Sequence, residues 1–174
     1  RLVRPGQLFI PIVADRNGHE YIETALSAGA AAYLTSQPKH AAEAGTSIEV
    51  ADTAAALMAL AAWARSQSVG KVIGVTGSVG KTSTKDLIAA ACASGLRTAA
   101  NERSFNNEQG LPITVLNAPD DTEVLVLEMG MRGFGEITRL CDVAQPNIGV
   151  VTAVGHSHTE RVGGIEGVAK AKKE

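Results

Sequence analysis

The sequence predicts an α/β protein whose larger part is a parallel sheet flanked by helices. Three observations carry that prediction. From Lys71 onward, strand-like and helix-like stretches alternate, the pattern of a doubly wound parallel sheet. Two of the strands, "VLVLE" at Val124–Glu128 and "IGVVTAV" at Ile148–Val154, are apolar at consecutive positions, as strands covered on both faces require. A glycine-rich turn, "TGSVGKTS" at Thr76–Ser83, joins the first strand of the series to its first helix.

The elements follow in order. "LFIPIV" (Leu8–Val13) is a short apolar run and reads as a strand. Asn17-Gly18 marks a turn, after which Tyr21, Ile22, Ala25 and Leu26 keep helical spacing and Gly29 stands where a helix cap belongs. Ala30–Thr35 and Ser47–Val50 read as two further strands. Asp52 or Thr53 can cap the alanine-rich helix that runs to Gln67. The segment Gln67–Gly70 then reads as a linker, which divides the chain into domains at 1–68 and 69–174. In the second, "KVIGV" is a strand, Lys81–Ser94 a helix stopped by Gly95, Gly135–Ala144 a helix, and "GIEGVAKAKKE" from Gly164 the start of another. The chain opens at Arg1 without Met and closes at Glu174 inside a helical pattern, so both ends read as cut.

Composition narrows the function. A net charge of -2 with no basic stripe argues against a nucleic-acid partner. No apolar run is long enough to cross a membrane. Cys92 and Cys141 lie in apolar helical stretches and read as reduced core thiols, the cytoplasmic pattern.

The glycine-rich turn departs from the general phosphate-loop spacing G-x-x-x-x-G-K-[ST]. Counting back from Gly80-Lys81-Thr82 puts Val75 where that pattern has its first glycine, and Gly77 follows instead. The physical requirements are still met. A strand ends, glycines let the backbone fold tightly, and a helix N-terminus offers N–H groups and a positive dipole end to an anion. Thr76, Gly77, Ser78, Val79, Gly80, Lys81, Thr82 and Ser83 are therefore the candidate nucleotide contacts. Lys81 can reach the outer phosphates and the Thr82 hydroxyl can hold Mg²⁺. Glu128 ends a buried strand and can hold the same ion directly or through water.

The loop reads T-G-[ST]-x-G-K-[ST], and in this it resembles the Mur ligase superfamily of ATP-dependent amide-forming enzymes. "SFNNEQGLPITVL", "LEMGMRGFGEI", "NIGVVTAVGHSH" and "GIEGVAKAK" resemble the branch that adds D-alanyl-D-alanine to a UDP-muramoyl-tripeptide. "RPGQLFIPI", "NGHEYIETALSAGAAAYL" and "VADTAAAL" resemble that branch's UDP-substrate domain. The resemblance covers nearly the whole chain. It implies three domains, of which this chain would hold a first domain cut at its start and part of a central P-loop-type ATPase domain.

Several roles follow from the resemblance alone. Glu128 and His158 would hold metal, two Mg²⁺ ions in all, and Lys172 would carry a carbamate that braces the second ion. Lys170 and Lys173 compete with Lys172, and the count from His158 favours Lys172. Asn106 and Asn107 would face the phosphate end, although Asn also suits a plain turn. Arg4, Asn17, Gly18 and His19 fall where the branch binds its UDP-sugar, and equally suit ordinary loops. His156 departs from the family's small residue, and "HSH" without a third ligand is a weak zinc signal.

The reaction so implied joins the terminal carboxylate of the tripeptide to D-Ala-D-Ala through an acyl phosphate made from ATP. Its obstacle is bringing an anion to an anion: two unit charges at 4 Å repel by about 4 kcal/mol at an effective dielectric of 20. A monomer acting in the cytoplasm is expected, and the fragment alone is expected not to turn over. Three rivals are a sister ligase adding an amino acid or glutamate, a switch-type GTPase, and a non-catalytic nucleotide-binding module. "FNNEQGLP" speaks against the first, and the missing N-K-x-D guanine signature against the second.

Overall fold

The computed structural model describes residues 3–37, 45–102, 105–157 and 159–174. Two compact units divide the chain, Arg1–Leu57 and Met58–Glu174.

The first unit holds a three-stranded parallel sheet in the order β1 (Leu8–Phe9), β2 (Ala32–Thr35), β3 (Thr46–Glu49). The strand predicted over Leu8–Val13 stops at Phe9. Pro11 has no N–H for a ladder, and the chain turns back so that Ile12 O accepts the Gly18 N–H and Val13 bridges Asn17. A 3₁₀ turn at Gly18–Tyr21 leads into α1 (Ile22–Ser27), and Gly29 follows with φ +95°, the left-handed stop that its position suggests.

Helix α2 (Thr53–Gln67) starts on Asp52, whose Oδ1 accepts the N–H groups of Ala54 and Ala55 at 2.7 and 2.9 Å. The division between units falls inside this helix, ahead of the expected linker. The reason lies in its second half: Ala61 is fully buried in the second unit's core, and Arg65 Nε donates to Ala144 O at 2.9 Å.

The second unit is built on β4 (Lys71–Thr76), α3 (Lys81–Ala93), β5 (Thr98–Ala100), α4 (Gly110–Leu116), β6 (Val124–Glu128), α5 (Glu136–Ala144), β7 (Ile148–Val151), α6 (Thr159–Val162) and α7 (Ile165–Lys172). Its sheet is parallel throughout, in the order β5-β6-β4-β7. The two-residue period of a strand sorts the core onto two faces. Val72, Leu125 and Leu127 pack with Leu111, Leu140, Val168 and Ala171 on one side. Val75, Val124 and Val126 pack with Ile88, Ala89 and Cys92 on the other. Glu128 shares the parity of Val124 and Val126, so its side chain falls on the α3 face.

Two departures from the sequence reading matter here. Strand β7 is shorter than predicted, ending at Val151, and among the described residues it pairs with β4 alone. Helix α4 has no counterpart in the sequence reading, because Pro112 and the β-branched Ile113, Thr114 and Val115 oppose a helix by propensity. Pro112 sits in the first turn, where its missing N–H costs nothing. Among the described residues no helix is long and apolar enough to cross a membrane.

Candidate functional site

The site is at the C-terminal ends of β4 and β6, where ligands of open parallel sheets bind. Strand β4 ends at Thr76, a turn occupies residues 77–80, and α3 begins at Lys81 behind Gly80, whose φ is +80°. Gly77 has φ +151°, and a Cβ there would stand 1.9 Å from Thr152 Oγ1. That hydroxyl donates to Val79 O at 2.6 Å. The glycine two residues beyond the general pattern is therefore the one this loop geometry demands. Val75, where the general pattern has glycine, is fully buried on the α3 face of the sheet.

Lys81 Nζ donates to Gly77 O at 2.8 Å, arching over the loop. Thr76 is buried, and its Oγ1 is a hydroxyl without a hydrogen-bond partner among the described residues. Val79, Thr82 and Ser83 are exposed. Ser78 is engaged differently from its sequence expectation. Its N–H donates to Ala153 O at 2.9 Å, and its hydroxyl takes the N–H of Gly155 at 3.0 Å and the hydroxyl of Ser157 at 2.8 Å. It ties the loop to the segment after β7 and does not aim its own N–H at an anion.

Glu128 is 1% exposed, yet among the described residues no cation pairs with it. Oε2 accepts from Thr82 Oγ1 at 2.7 Å, and Oε1 accepts from Asn106 Nδ2 at 2.6 Å. The two neighbouring asparagines diverge. Asn106 faces the carboxylate, and Gly130 keeps close beside it by lacking a Cβ that would meet the Asn106 side chain at 2.9 Å. Asn107 is turned away: its Oδ1 accepts the N–H groups of Gly110 and Gln109, so it serves the start of α4.

Lys172 ends α7, whose Val168 and Ala171 are fully buried. The Glu174 carboxylate accepts the Gly135 N–H at 2.8 Å and the Thr138 N–H at 3.3 Å, which pins this end of the chain to the start of α5. Lys172 is 5% exposed and has no hydrogen-bond or acidic partner among the described residues. Burial, and then the nearby Lys81 charge, push its amine below the usual lysine range. His158 lies outside the described residues, and His156 is exposed.

The set fits a hard divalent ion beside a phosphate. Glu128 and Thr82 offer adjacent oxygens, and Thr76 Oγ1 is a buried hydroxyl still to be satisfied. No three His, Cys, Asp or Glu among the described residues cluster as a dedicated zinc site requires. The hollow lined by Arg65, Ser68, Val72, Val115 and Thr122 lies at the other end of the same strands and plays no part.

In the first unit, Asn17 and His19 build the loop. Asn17 Oδ1 accepts from the His19 N–H and from its Nδ1 at 2.9 Å, while His19 Nε2 accepts the Ser36 N–H at 3.2 Å. A Cβ on Gly18 would collide with Ile12 N at 2.5 Å. Arg4 is exposed.

Sequence reasoning missed Lys85 and Asn101, both buried against this site. Lys85 Nζ donates to Asn101 O at 2.8 Å, and Asn101 Oδ1 accepts the Glu128 N–H at 2.8 Å. The one available signal was Lys85 itself, a charged residue on the sheet-facing side of α3.

Residues 75–174 match the Mur ligase middle domain. A UDP-N-acetylmuramoyl-tripeptide–D-alanyl-D-alanine ligase of Bacillus subtilis is 45% identical over 177 residues, covering 100% of this chain and 38% of that protein. Among solved structures, the MurF ligase of Thermotoga maritima in complex with ADP is 33% identical with a TM-score of 0.87, over 98% of this chain and 40% of that one. MurF from Acinetobacter baumannii gives a TM-score of 0.89 at 28% identity, over 98% of this chain and 38% of that one. The chain thus spans well under half the length of the relatives it matches.

Proposed function

The chain belongs to the Mur ligase family, and on that premise we propose that it is part of an ATP-dependent ligase joining D-Ala-D-Ala to a UDP-muramoyl-tripeptide. The observation that carries the proposal is the Thr82–Glu128 hydrogen bond across the mouth of the phosphate loop. It brings a helix-borne hydroxyl and a strand-borne carboxylate together beside the loop, the two oxygens that a nucleotide-bound Mg²⁺ would need. The 45% identity to a ligase of that name supports the choice of branch.

In the proposed reaction an oxygen of the tripeptide's terminal carboxylate forms a bond to the γ-phosphorus of ATP, and the bond to ADP breaks. The amine of D-Ala-D-Ala then bonds to the acyl carbon, phosphate leaves with the C–O bond electrons, and the amine's proton passes to solvent. Lys81 lifts from Gly77 O to the outer phosphates, and the N-terminus of α3 stabilises the same charge. Thr82 and Glu128 would hold one Mg²⁺ and His158 a second, and the ions would offset the repulsion between carboxylate and phosphate. Lys172 is suited to carbamylation, since a depressed amine is more often neutral and thus able to add CO₂. The first unit would take the UDP-sugar, and the enzyme would act as a cytoplasmic monomer.

Calorimetry of Mg·ATP binding to this chain, beside Lys81→Ala, tests the reading. Binding by the wild type and its loss in the variant are expected. Equal affinity in the two proteins would refute the loop as a phosphate site.

A further inference from the structure

We propose that Asn101, backed by Lys85, is the positioning residue that sets the Glu128 carboxylate against the loop helix. The inference rests on the reading that Thr82 and Glu128 face the nucleotide and its metal.

Asn101 directly follows β5, the edge strand beside β6, and is 1% exposed. The β5–β6 ladder ends with Ala100 opposite Val126. The Glu128 N–H, two residues further along β6, has no strand left to pair with on that side. Asn101 Oδ1 takes this N–H at 2.8 Å, so a side chain replaces the missing backbone acceptor. On the other side Met129 N–H donates to Val75 O at 2.8 Å, so the end of β6 is held from both neighbours.

The second end of the same amide fixes the loop. Asn101 Nδ2 donates to Phe105 O at 3.1 Å, immediately before Asn106, whose Nδ2 holds Glu128 Oε1. Asn106 O in turn accepts the Gly130 N–H at 2.8 Å. Asn101 therefore aims Glu128 twice, through its backbone and through Asn106 at its carboxylate. The amide supplies both an acceptor and a donor here without placing a second buried anion beside Glu128.

Lys85 joins the third element. It lies one turn beyond Lys81 on α3 and is 3% exposed. Its Nζ donates to Asn101 O at 2.8 Å and pairs with Asp86 Oδ1 at 2.8 Å. The helix that presents Lys81 and Thr82, the strand that presents Glu128 and the loop that presents Asn106 thus share one junction. Asn101 reaches none of the groups that would touch substrate except through these partners.

The test measures ADP affinity with Mg²⁺ and with EDTA in the wild type, Asn101→Ala, Glu128→Gln and the double variant. Asn101→Ala is expected to weaken Mg·ADP binding at least about tenfold while changing the EDTA value less than about twofold. The double variant is expected to lose no more than Glu128→Gln alone, because both changes disable one carboxylate. Parallel loss in EDTA, or losses that multiply, would overturn the inference. Asn101→Ser, with a hydroxyl too short to span both partners, is expected to show the same split should the alanine variant not fold. Amide hydrogen exchange reads the positioning without nucleotide: the Glu128 amide should exchange at least about a hundredfold faster in the variant, with Val126 unchanged. Protection retained at Glu128 refutes the junction. A wild type that binds ADP no better with Mg²⁺, or a Lys81→Ala variant that binds like wild type, refutes instead the functional reading beneath it.

Discussion

Gly77→Ala gives the most direct access to the loop's geometry. The φ of +151° is a conformation that only glycine adopts cheaply, and imposing it on alanine costs about 1–3 kcal/mol. The new Cβ would also lie 1.9 Å from Thr152 Oγ1, so that hydroxyl must move and its bond to Val79 O is lost, a further ~1 kcal/mol. The sum is about 2–4 kcal/mol, or roughly 4–16 °C in Tm for a chain of this size. Urea unfolding measures the stability, and calorimetry the parallel loss of Mg·ATP affinity. Adding Thr152→Ala removes the clash but not the backbone strain, so the double variant should recover about 1 kcal/mol relative to additivity. Val75→Gly is the counter-experiment. It restores the general loop spacing but removes a fully buried side chain, and should cost about 2–4 kcal/mol with no gain in affinity. A stable, ATP-binding Gly77→Ala protein, or a Val75→Gly protein that binds better, would refute the claim that local packing sets the glycine position.

Three further outcomes follow from the site. The Lys172 amine is depressed in the folded chain, so between that depressed value and about 10.4 the unfolded chain binds more protons. In CO₂-free buffer, stability should therefore rise with pH across that window. Lys172→Met should abolish the rise and be the more stable protein below it, as paired urea titrations at several pH values will show. Asn107→Ala should lower stability by about 0.5–2 kcal/mol through the start of α4 and leave Mg·ATP affinity within about twofold, whereas Asn106→Ala should weaken Mg·ATP binding, as side-by-side calorimetry will establish. His19→Ala removes the acceptor of the part-buried Ser36 N–H and should destabilise the first unit by about 0.5–1.5 kcal/mol without changing Mg·ATP affinity, read by hydrogen exchange and calorimetry.

Local signals in the sequence were strong where one residue type solves one local problem. Asp52 announces the start of α2, Gly29 the stop after α1, and the apolar run of β6 its place between β5 and β4. The glycine-rich strand–helix turn was legible for the same reason, since Gly77 and Gly80 take the positive φ values that the turn needs. Covering partners were harder to read. The apolar run from Ile148 continues to Val154, and only the ladder with β4, which ends with Thr76 opposite Val151, stops the strand there. Asn101 was invisible because its partners Lys85 and Glu128 lie 16 and 27 residues away and no spacing rule connects them. Asn106 and Asn107 are adjacent and chemically equal, so only the fold could separate a carboxylate partner from a helix-start acceptor. The compact units divide within α2 because Ala61 and Arg65 already belong to the second unit's packing, a partnership that Gly and Ser at 68–70 do not signal.

The charges at the strand ends make the strongest case for a ligand. Buried charges in a finished fold are normally paired, because an isolated one costs several kcal/mol. Lys85 obeys that rule, with a carbonyl and a carboxylate both at 2.8 Å. Lys81, Lys172 and Glu128 do not. Among the described residues Lys81 has the Gly77 carbonyl as its partner, Glu128 has two neutral side-chain donors, and Lys172 feels the positive charge of Lys81. Moving one lysine onto the carboxylate would relieve two of the three at once. The fold forbids this by holding Glu128 from Asn101, Asn106 and Thr82 together. On the proposed reading, the strand ends that keep opposite charges apart would receive groups that bring their own: phosphate for the lysine of the loop, a divalent cation for the carboxylate, and CO₂ for the amine of α7.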